Sequence, residues 1–252
     1  MEKIKTEISE ILRSELQKYF GPNATEALSL SEKEDRSLVT EIDHLVSKII
    51  KEKLLLHPKY SSHAFFSEED YDTLKFPCVI LDPIDGTNEL IKGRPECVVS
   101  LAIMNSSEIA GEKNYGWLYN PFTGFSLDSN NVFHSHLNRS SQQTLGLVSR
   151  SEWHKGHFHN IKNKNIVAVP RGSIAFKLGL LASGACDFVI SSAPKNIWDI
   201  AAGTILLQRR GISFYCNREL VTHLDQVRYD ATLLWCQSSL APKLFEEFIF
   251  EK

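Results

Sequence analysis

Residues 78–90 read CVILDPIDGTNEL. Four apolar residues, Cys78 to Leu81, run directly into Asp82 and Asp85, with Pro83 and Gly86 beside them. The apolar run predicts a buried strand. Two carboxylates at the end of such a strand repel each other and lose solvation, so something must compensate them. A plain surface turn accounts for the residue types, since Asp-Pro and Asp-Gly are common turn dipeptides. It does not account for their position after so apolar a strand. A divalent cation does. Hard Mg²⁺ favours carboxylate and carbonyl oxygens and keeps sites open for water and substrate phosphate. Pro83 fixes its own φ and Gly86 permits a tight turn, so the two acids ride on a short, stiff arch. Gly86 and Thr87 then offer backbone N–H groups to phosphate oxygens, at the start of a helix.

Three further acidic stretches raise the same question. SLVTEIDHLV, residues 37–46, sets Thr40 three positions before Asp43. By itself it reads as a capping box. FFSEED, residues 65–70, reads by itself as a solvated charge run. NIWDIAAG, residues 196–203, puts Asp199 at the head of an apolar helix, beneath an Asn196 cap and among Trp198, Ile200, Ala201 and Ala202. That setting solvates a carboxylate poorly.

The rest of the chain is ordinary globular sequence. Of 252 residues, 42% are hydrophobic and 23% charged, enough for one large core or two halves of one domain. The formal charge of −3 comes without a basic stripe, which argues against a nucleic-acid polymer as partner. The first residues, MEKIKTEISEILRSEL, have no apolar core of a signal peptide, and no run approaches the roughly 18 apolar residues of a membrane span. The five cysteines, Cys78, Cys97, Cys186, Cys216 and Cys236, show no C-x-x-C spacing and read as reduced core thiols of a cytoplasmic protein. His154, His157 and His159 have no acid or Cys at metal spacing and read as a solvated loop.

Periodicity predicts helices over Ile4–Tyr19 (stopped by Gly21-Pro22), Ile42–Leu54, Ser173–Ser183, Ile197–Gln208 and Leu240–Phe250. It predicts strands over 78–81, 97–104, 145–149, 166–169, 188–191, 212–215 and 232–236, with a hairpin, 115–119 and 124–127, about Asn120-Pro121. The polar stretch 128–143 marks a seam between two halves. The alternation suggests mixed α/β layers.

In the order V-T-x-x-D, S-E-E, D-P-I-D-G-T and W-D-x-A-A-G, the four acidic stretches resemble the inositol monophosphatase superfamily of Mg²⁺-dependent, lithium-sensitive phosphomonoesterases. The resemblance runs from about Asp43 to Gly203. It implies a layered αβαβα sandwich, with an N-terminal half, 1–140, carrying most metal ligands and a C-terminal half, 141–252, carrying Asp199. It implies two or three Mg²⁺ ions held by Glu68, Asp82, the carbonyl of Ile84, Asp85 and Asp199. Thr87, backed by Asp43, would orient the attacking water, with Glu68 completing the catalytic set. Gly86 and Thr87 would hold the phosphate. Gly172, Ser173, Lys177 and Lys195 would face the rest of the substrate. A homodimer is implied as well.

Two cations about 3.5–4 Å apart suit phosphate monoesters, whose hydrolysis is limited by charge on oxygen and needs no nucleophilic side chain. Departures from the family pattern narrow the substrate. Glu89, with Ile91-Lys92, and NIWDIAAG look more like the 3'(2'),5'-bisphosphate nucleotidase branch. Ser192 stands seven positions before Asp199, where inositol-specific members often carry a glutamate. Ser67 replaces a common glycine before Glu68-Glu69. The substrate expected is thus a small phosphorylated metabolite, foremost a 3'(2'),5'-bisphosphate nucleotide. The alternatives are an inositol monophosphate or other sugar phosphate, and a catalytically inactive metal-binding interaction protein. A phosphatase of the haloacid dehalogenase type spaces its acids two apart, whereas here they stand three apart.

Overall fold

The computed structural model describes residues 1–16, 30–32, 38–131 and 143–248. Tyr19, the Gly21-Pro22 stop, the Thr40 side chain, most of the 128–143 seam and the end of the last helix lie outside that description.

The N-terminal part contains α1 (Glu2–Leu16), β1 (Leu30–Glu32), β2 (Leu38–Thr40), α2 (Glu41–Leu55), β3 (Ala64–Ser67), β4 (Cys78–Asp85), α3 (Thr87–Ile91), β5 (Val98–Met104), β6 (Tyr115–Tyr119) and β7 (Ser126–Asp128). Strands β3 to β7 form one five-stranded sheet in sequence order. Only β3 and β4 run parallel; β4 to β7 alternate direction, with the expected hairpin between β6 and β7. Ile4, Ile8, Leu12 and Leu16 of α1 and Ile42, Val46, Ile50 and Leu54 of α2 pack on one face of this sheet, against Val79, Leu81, Val99, Leu101 and Trp117. Cys78 and Ile80 point to the other face. Burial on both faces explains why β4 is apolar at every position up to Leu81 rather than alternating.

The C-terminal part contains β8 (Thr144–Ser149), α4 (Arg150–His154), β9 (Ile166–Arg171), α5 (Ile174–Ala182), β10 (Phe188–Ser191), β11 (Lys195–Asn196), α6 (Ile197–Gln208), β12 (Ser213–Cys216), β13 (Glu219–Leu220), β14 (Arg228–Tyr229), β15 (Leu233–Cys236) and α7 (Ala241–Glu247). Six strands form a second, mixed sheet in the order β13-β12-β15-β10-β8-β9. Helices α5 and α6 lie between the two sheets: Leu178, Ile200, Ala201 and Ile205 share one core with Ile80 and Leu118 of the first sheet and Val189, Leu233 and Trp235 of the second. Gly116 permits this close approach, since a Cβ there would come 2.5 Å from the Ala202 carbonyl oxygen. Ala241 and Leu244 of α7, with Phe248 and Trp153, cover the outer face of the second sheet at Phe188, Ile190 and Leu234. The layers are therefore α1/α2, sheet, α5/α6, sheet, α4/α7, the αβαβα arrangement expected.

Several local expectations change. β4 continues past Leu81 to Asp85, with a register shift between Asp82, opposite Ser100, and Asp85, opposite Val98. Such a bulge keeps the strand paired around Pro83, which has no N–H to donate. Residues 150–154 form a helical turn, so His154 ends a helix, while His159 stacks edge-on to Trp153. The five cysteines are free, and only Cys216 is partly exposed.

Candidate active site

The acids converge. One carboxylate oxygen each from Asp82, Asp85 and Asp199 lie within 4.8 Å of one another. Each arrives from a different local device.

Asp82 ends the regular part of β4 and is 2% exposed. Its Oδ1 is buried with no hydrogen-bond partner among the described residues. Burial first, then the charges of Glu68, Asp85, Asp199 and Asp43, push its pKa well above the usual carboxylate range.

Asp85 lies across the bulge. Its Oδ2 accepts the Ser173 hydroxyl at 2.6 Å and the Ala175 N–H. Burial raises its pKa, against those two hydrogen bonds and the charges of Lys177 and Lys195.

Asp199 occupies the first turn of α6 and accepts the Asn196 N–H at 2.8 Å, the expected half of a capping box. Burial, followed by the charge of Asp85, pushes its pKa up to about 7. The carbonyl of the preceding Trp198 accepts the Ser100 hydroxyl at 2.9 Å, which fixes the head of α6 to the first sheet.

Glu68 follows β3 in a turn closed by paired hydrogen bonds between Ser67 and Asp70, and its N–H donates to Leu81 O at 3.1 Å. It lines the same cleft as Asp82, Asp85 and Asp199.

At the arch, Ile84 turns its side chain into the α1/α2 core. Its carbonyl accepts the Thr87 hydroxyl at 2.9 Å, while Asp43 Oδ2 stands 3.5 Å from the same hydroxyl, so the shorter bond is not the one to Asp43. Gly86 adopts φ +103°, and a Cβ there would meet the Glu96 carbonyl oxygen at 2.8 Å. A side chain fails at this position on both counts. The first hydrogen bonds of α3 run from Glu89 and Leu90 to Gly86 O, so the N–H groups of Gly86 and Thr87 precede the helical ladder.

The four expected substrate residues line the cleft, but their polar atoms already have protein partners. Ser173, at φ 49°, holds Asp85 and caps α5 through Phe176 N. Gly172 is small for a packing reason: a Cβ would come 2.2 Å from Glu89 Cγ. Lys177 is 2% exposed. Its ammonium donates to Ser173 O at 2.8 Å and faces the carbonyls of Arg171 and Gly172, and burial pulls its pKa down to about 8. The half-buried Lys195 donates to Ala193 O and Pro194 O.

The cleft, about 590 Å³ in volume, is lined by these acids and by Lys92, Arg94, Arg150, His154 and Lys195. Arg94 and Arg150 both pair with Glu89, at 3.1 and 3.3 Å. Arg150 also pairs with Glu96, whose Oε2 accepts Gly172 N at 2.6 Å. Arg94 and Arg150 were missing from the candidates read in the sequence, though an Arg just past the end of β8 was a usable signal. Ser192 turns away: it contacts His157 Nδ1 at 2.9 Å and lines a separate cavity of about 360 Å³.

Comparison with known proteins defines the class. The family described as "Inositol monophosphatase family" matches residues 1–243. The chain belongs to that family, and it is a phosphatase. Inositol monophosphatase 2 of Saccharomyces cerevisiae is 28% identical over 289 residues, covering 98% of this chain and 94% of the yeast protein. Among solved structures, a Thermotoga maritima IMPase superposes with a TM-score of 0.74 at 19% identity, over 98% of this chain and 96% of that one. An IMPase/NADP phosphatase complexed with Mg²⁺ and phosphate gives 0.76 at 15% identity, over 100% and 97%. No helix among the described residues is long and apolar enough to cross a membrane.

Proposed function

We propose that this chain hydrolyses a small phosphorylated metabolite, foremost a 3'(2'),5'-bisphosphate nucleotide, with Mg²⁺ held by Glu68, Asp82, the Ile84 carbonyl, Asp85 and Asp199. The observation that carries the reading is the convergence of one carboxylate oxygen each from Asp82, Asp85 and Asp199 within 4.8 Å of one another, together with a buried Asp82 Oδ1 that has no hydrogen-bond partner among the described residues. Such a donor set, all hard oxygen, fits Mg²⁺ and suits a soft metal poorly. Two or three ions are in keeping with five ligand groups. Bound there, the cations supply Lewis acidity to the phosphoryl oxygens and lower the pKa of water.

The protein's own part is positioning. Thr87, between Ile84 O and Asp43, orients the attacking water, and the Gly86 and Thr87 N–H groups hold the phosphate. Ser173 and Lys177 act first on Asp85 and on the 171–173 carbonyls, and through them on the substrate. The halves 1–140 and 141–252 meet across the cleft, with Glu68, Asp82 and Asp85 on one and Asp199 on the other. A homodimer in the cytoplasm belongs to the same reading.

The cations Lys92, Arg94, Arg150 and Lys195 support a substrate with a second phosphate. The second reading, an inositol monophosphate, is favoured by the name of the yeast relative. Ser192, facing the other cavity, leaves that reading without a carboxylate at the position expected to grip inositol hydroxyls. The test is a metal-replete assay of 3'-phosphoadenosine 5'-phosphate, inositol 1-phosphate and fructose 1,6-bisphosphate. The nucleotide should show the highest kcat/KM. Equal or better turnover of inositol 1-phosphate overturns the nucleotide assignment, and no turnover of any phosphate ester, with Mg²⁺ still bound, returns the inactive metal-binding protein.

A further inference from the structure

Tyr71 is 55% exposed. One side of that ring is occupied. Its centroid lies 5.0 Å from that of Trp198 and 5.5 Å from that of Phe66, and Phe66 and Trp198 are 5.9 Å apart. The three rings close a triangle, and each belongs to a segment that carries or adjoins a metal-site acid. Phe66 is in β3, two residues before Glu68. Tyr71 is three residues after it, just past the tight Ser67–Asp70 turn. Trp198 immediately precedes Asp199 and is itself 5% exposed.

Trp198 is thus held from two sides. Its carbonyl is fixed by Ser100 of β5, the residue opposite Asp82 in the sheet. Its ring is covered by Tyr71. The turn bearing Glu68 meets α6 through these rings. Its flank carries the exposed ion pair of Lys51 with Asp70, and exposed pairs contribute little.

We propose that Tyr71 is a positioning residue that clasps the Glu68 turn to the Asp199 helix and so sets how tightly the acidic site holds divalent cations. The inference rests on the reading of Glu68 and Asp199 as ligands of one metal centre. Their carboxylates come from segments 131 residues apart in sequence, so their relative placement must be supplied by tertiary contact. The ring stack is such a contact. Its chemistry is apolar and planar, and the phenol hydroxyl has no part in it.

The experiment titrates Mg²⁺ alone into wild type, Tyr71→Ala and Tyr71→Phe by calorimetry, and measures the Mg²⁺ dependence of turnover in parallel. Ring pairs of this kind contribute enough to predict a roughly three- to tenfold weaker Mg²⁺ affinity in Tyr71→Ala. kcat at saturating Mg²⁺ should stay within about twofold of wild type, and Tyr71→Phe should bind Mg²⁺ as wild type does. Unchanged affinity in Tyr71→Ala overturns the clasp while wild-type binding keeps the metal centre. A Tyr71→Phe variant as weak as Tyr71→Ala, or a deficit that saturating Mg²⁺ does not restore, also overturns it. Wild-type protein that binds no Mg²⁺ overturns both.

Discussion

The Ser173 hydroxyl donates to Asp85 Oδ2 at 2.6 Å across 88 residues of sequence, tying the arch of β4 to the N-terminus of α5. The same oxygen accepts the N–H of Ala175, and Ser173 also accepts from Phe176 N. One serine therefore both caps a helix and orients an acid of the candidate metal site.

Ser173→Ala removes a hydrogen bond to a charged group, worth about 1.5–3 kcal/mol. If Asp85 must be held for turnover, kcat/KM at saturating Mg²⁺ should fall roughly ten- to a hundredfold. Loss of the cap should cost about 1 kcal/mol, lowering Tm by roughly 2–4 °C in a chain of this size. A variant with the lower Tm and unchanged kcat/KM would reduce Ser173 to its capping role.

The metal-free protein should be sensitive to pH in a particular direction. Asp199 titrates at about 7 in the folded chain, above its ordinary 3.8. Between those values the native state binds more protons than the unfolded chain, so stability must fall as pH rises through that window. In a chelator, urea midpoints should drop between pH 6 and pH 8, and Asp199→Asn should flatten the drop. Lys177, pulled down to about 8, reverses the sign only above that pH, because its buried charge is relieved there. Mg²⁺ should stabilise wild type more at pH 8 than at pH 6, since its ligands must be deprotonated. An equal drop in Asp199→Asn would place the effect elsewhere.

Thr87→Ala should lower kcat by on the order of a hundredfold while KM changes little, because a misplaced nucleophile is costly mainly in the transition state. Asp43→Asn should lower kcat less than Thr87→Ala does. The geometry sets that order, since the Thr87 hydroxyl is 2.9 Å from Ile84 O and 3.5 Å from Asp43. Steady-state kinetics on both variants decide it; an effect confined to KM in both would remove the water-orienting role.

The acids of the candidate metal site were legible because their setting is local. DPIDGT puts two carboxylates on one arch and WDIAAG puts its acid in the first turn of a buried helix; the four stretches taken together, through the family they resemble, then pointed to one site. The C-terminal end of β4 was not legible, because Pro83 and two aspartates look like a turn unless the opposing Ser100 and Val98 are known. The Glu89, Glu96, Arg94 and Arg150 network was hidden for a related reason. Charged residues near strand ends resemble solvated surface, and only the fold brings Arg150 to Glu96 and Glu96 to Gly172 N. Nor does the sequence show that the space a Cβ would take at Gly172 is filled by Glu89. The two-residue strands β11 and β14 are too short to carry any periodicity.

Substrate choice should depend on Lys195 more than on Arg94, Arg150 or Lys177. Arg150 and Arg94 are engaged by Glu89, and Lys177 is enclosed by backbone carbonyls, so removing any of them disturbs protein structure along with substrate contact. Among the described residues the Lys195 ammonium donates to the nearby carbonyls of Ala193 and Pro194, which leaves it able to meet an anion as well. It is also fixed near the reacting centre by β11, which leads into the helix of Asp199. Losing one charged contact costs about 1.5–3 kcal/mol, so Lys195→Ala should reduce kcat/KM for 3'-phosphoadenosine 5'-phosphate roughly ten- to a hundredfold. Inositol 1-phosphate has no second phosphate and should lose less than about threefold by the same reasoning. Because the proposed reading gives both substrates the same metal site and the same Gly86-Thr87 amides, the ratio of the two losses isolates the contact. Equal losses on both would assign Lys195 to the common chemistry, through its charge on Asp85 and Asp199, and leave the second phosphate without a demonstrated partner.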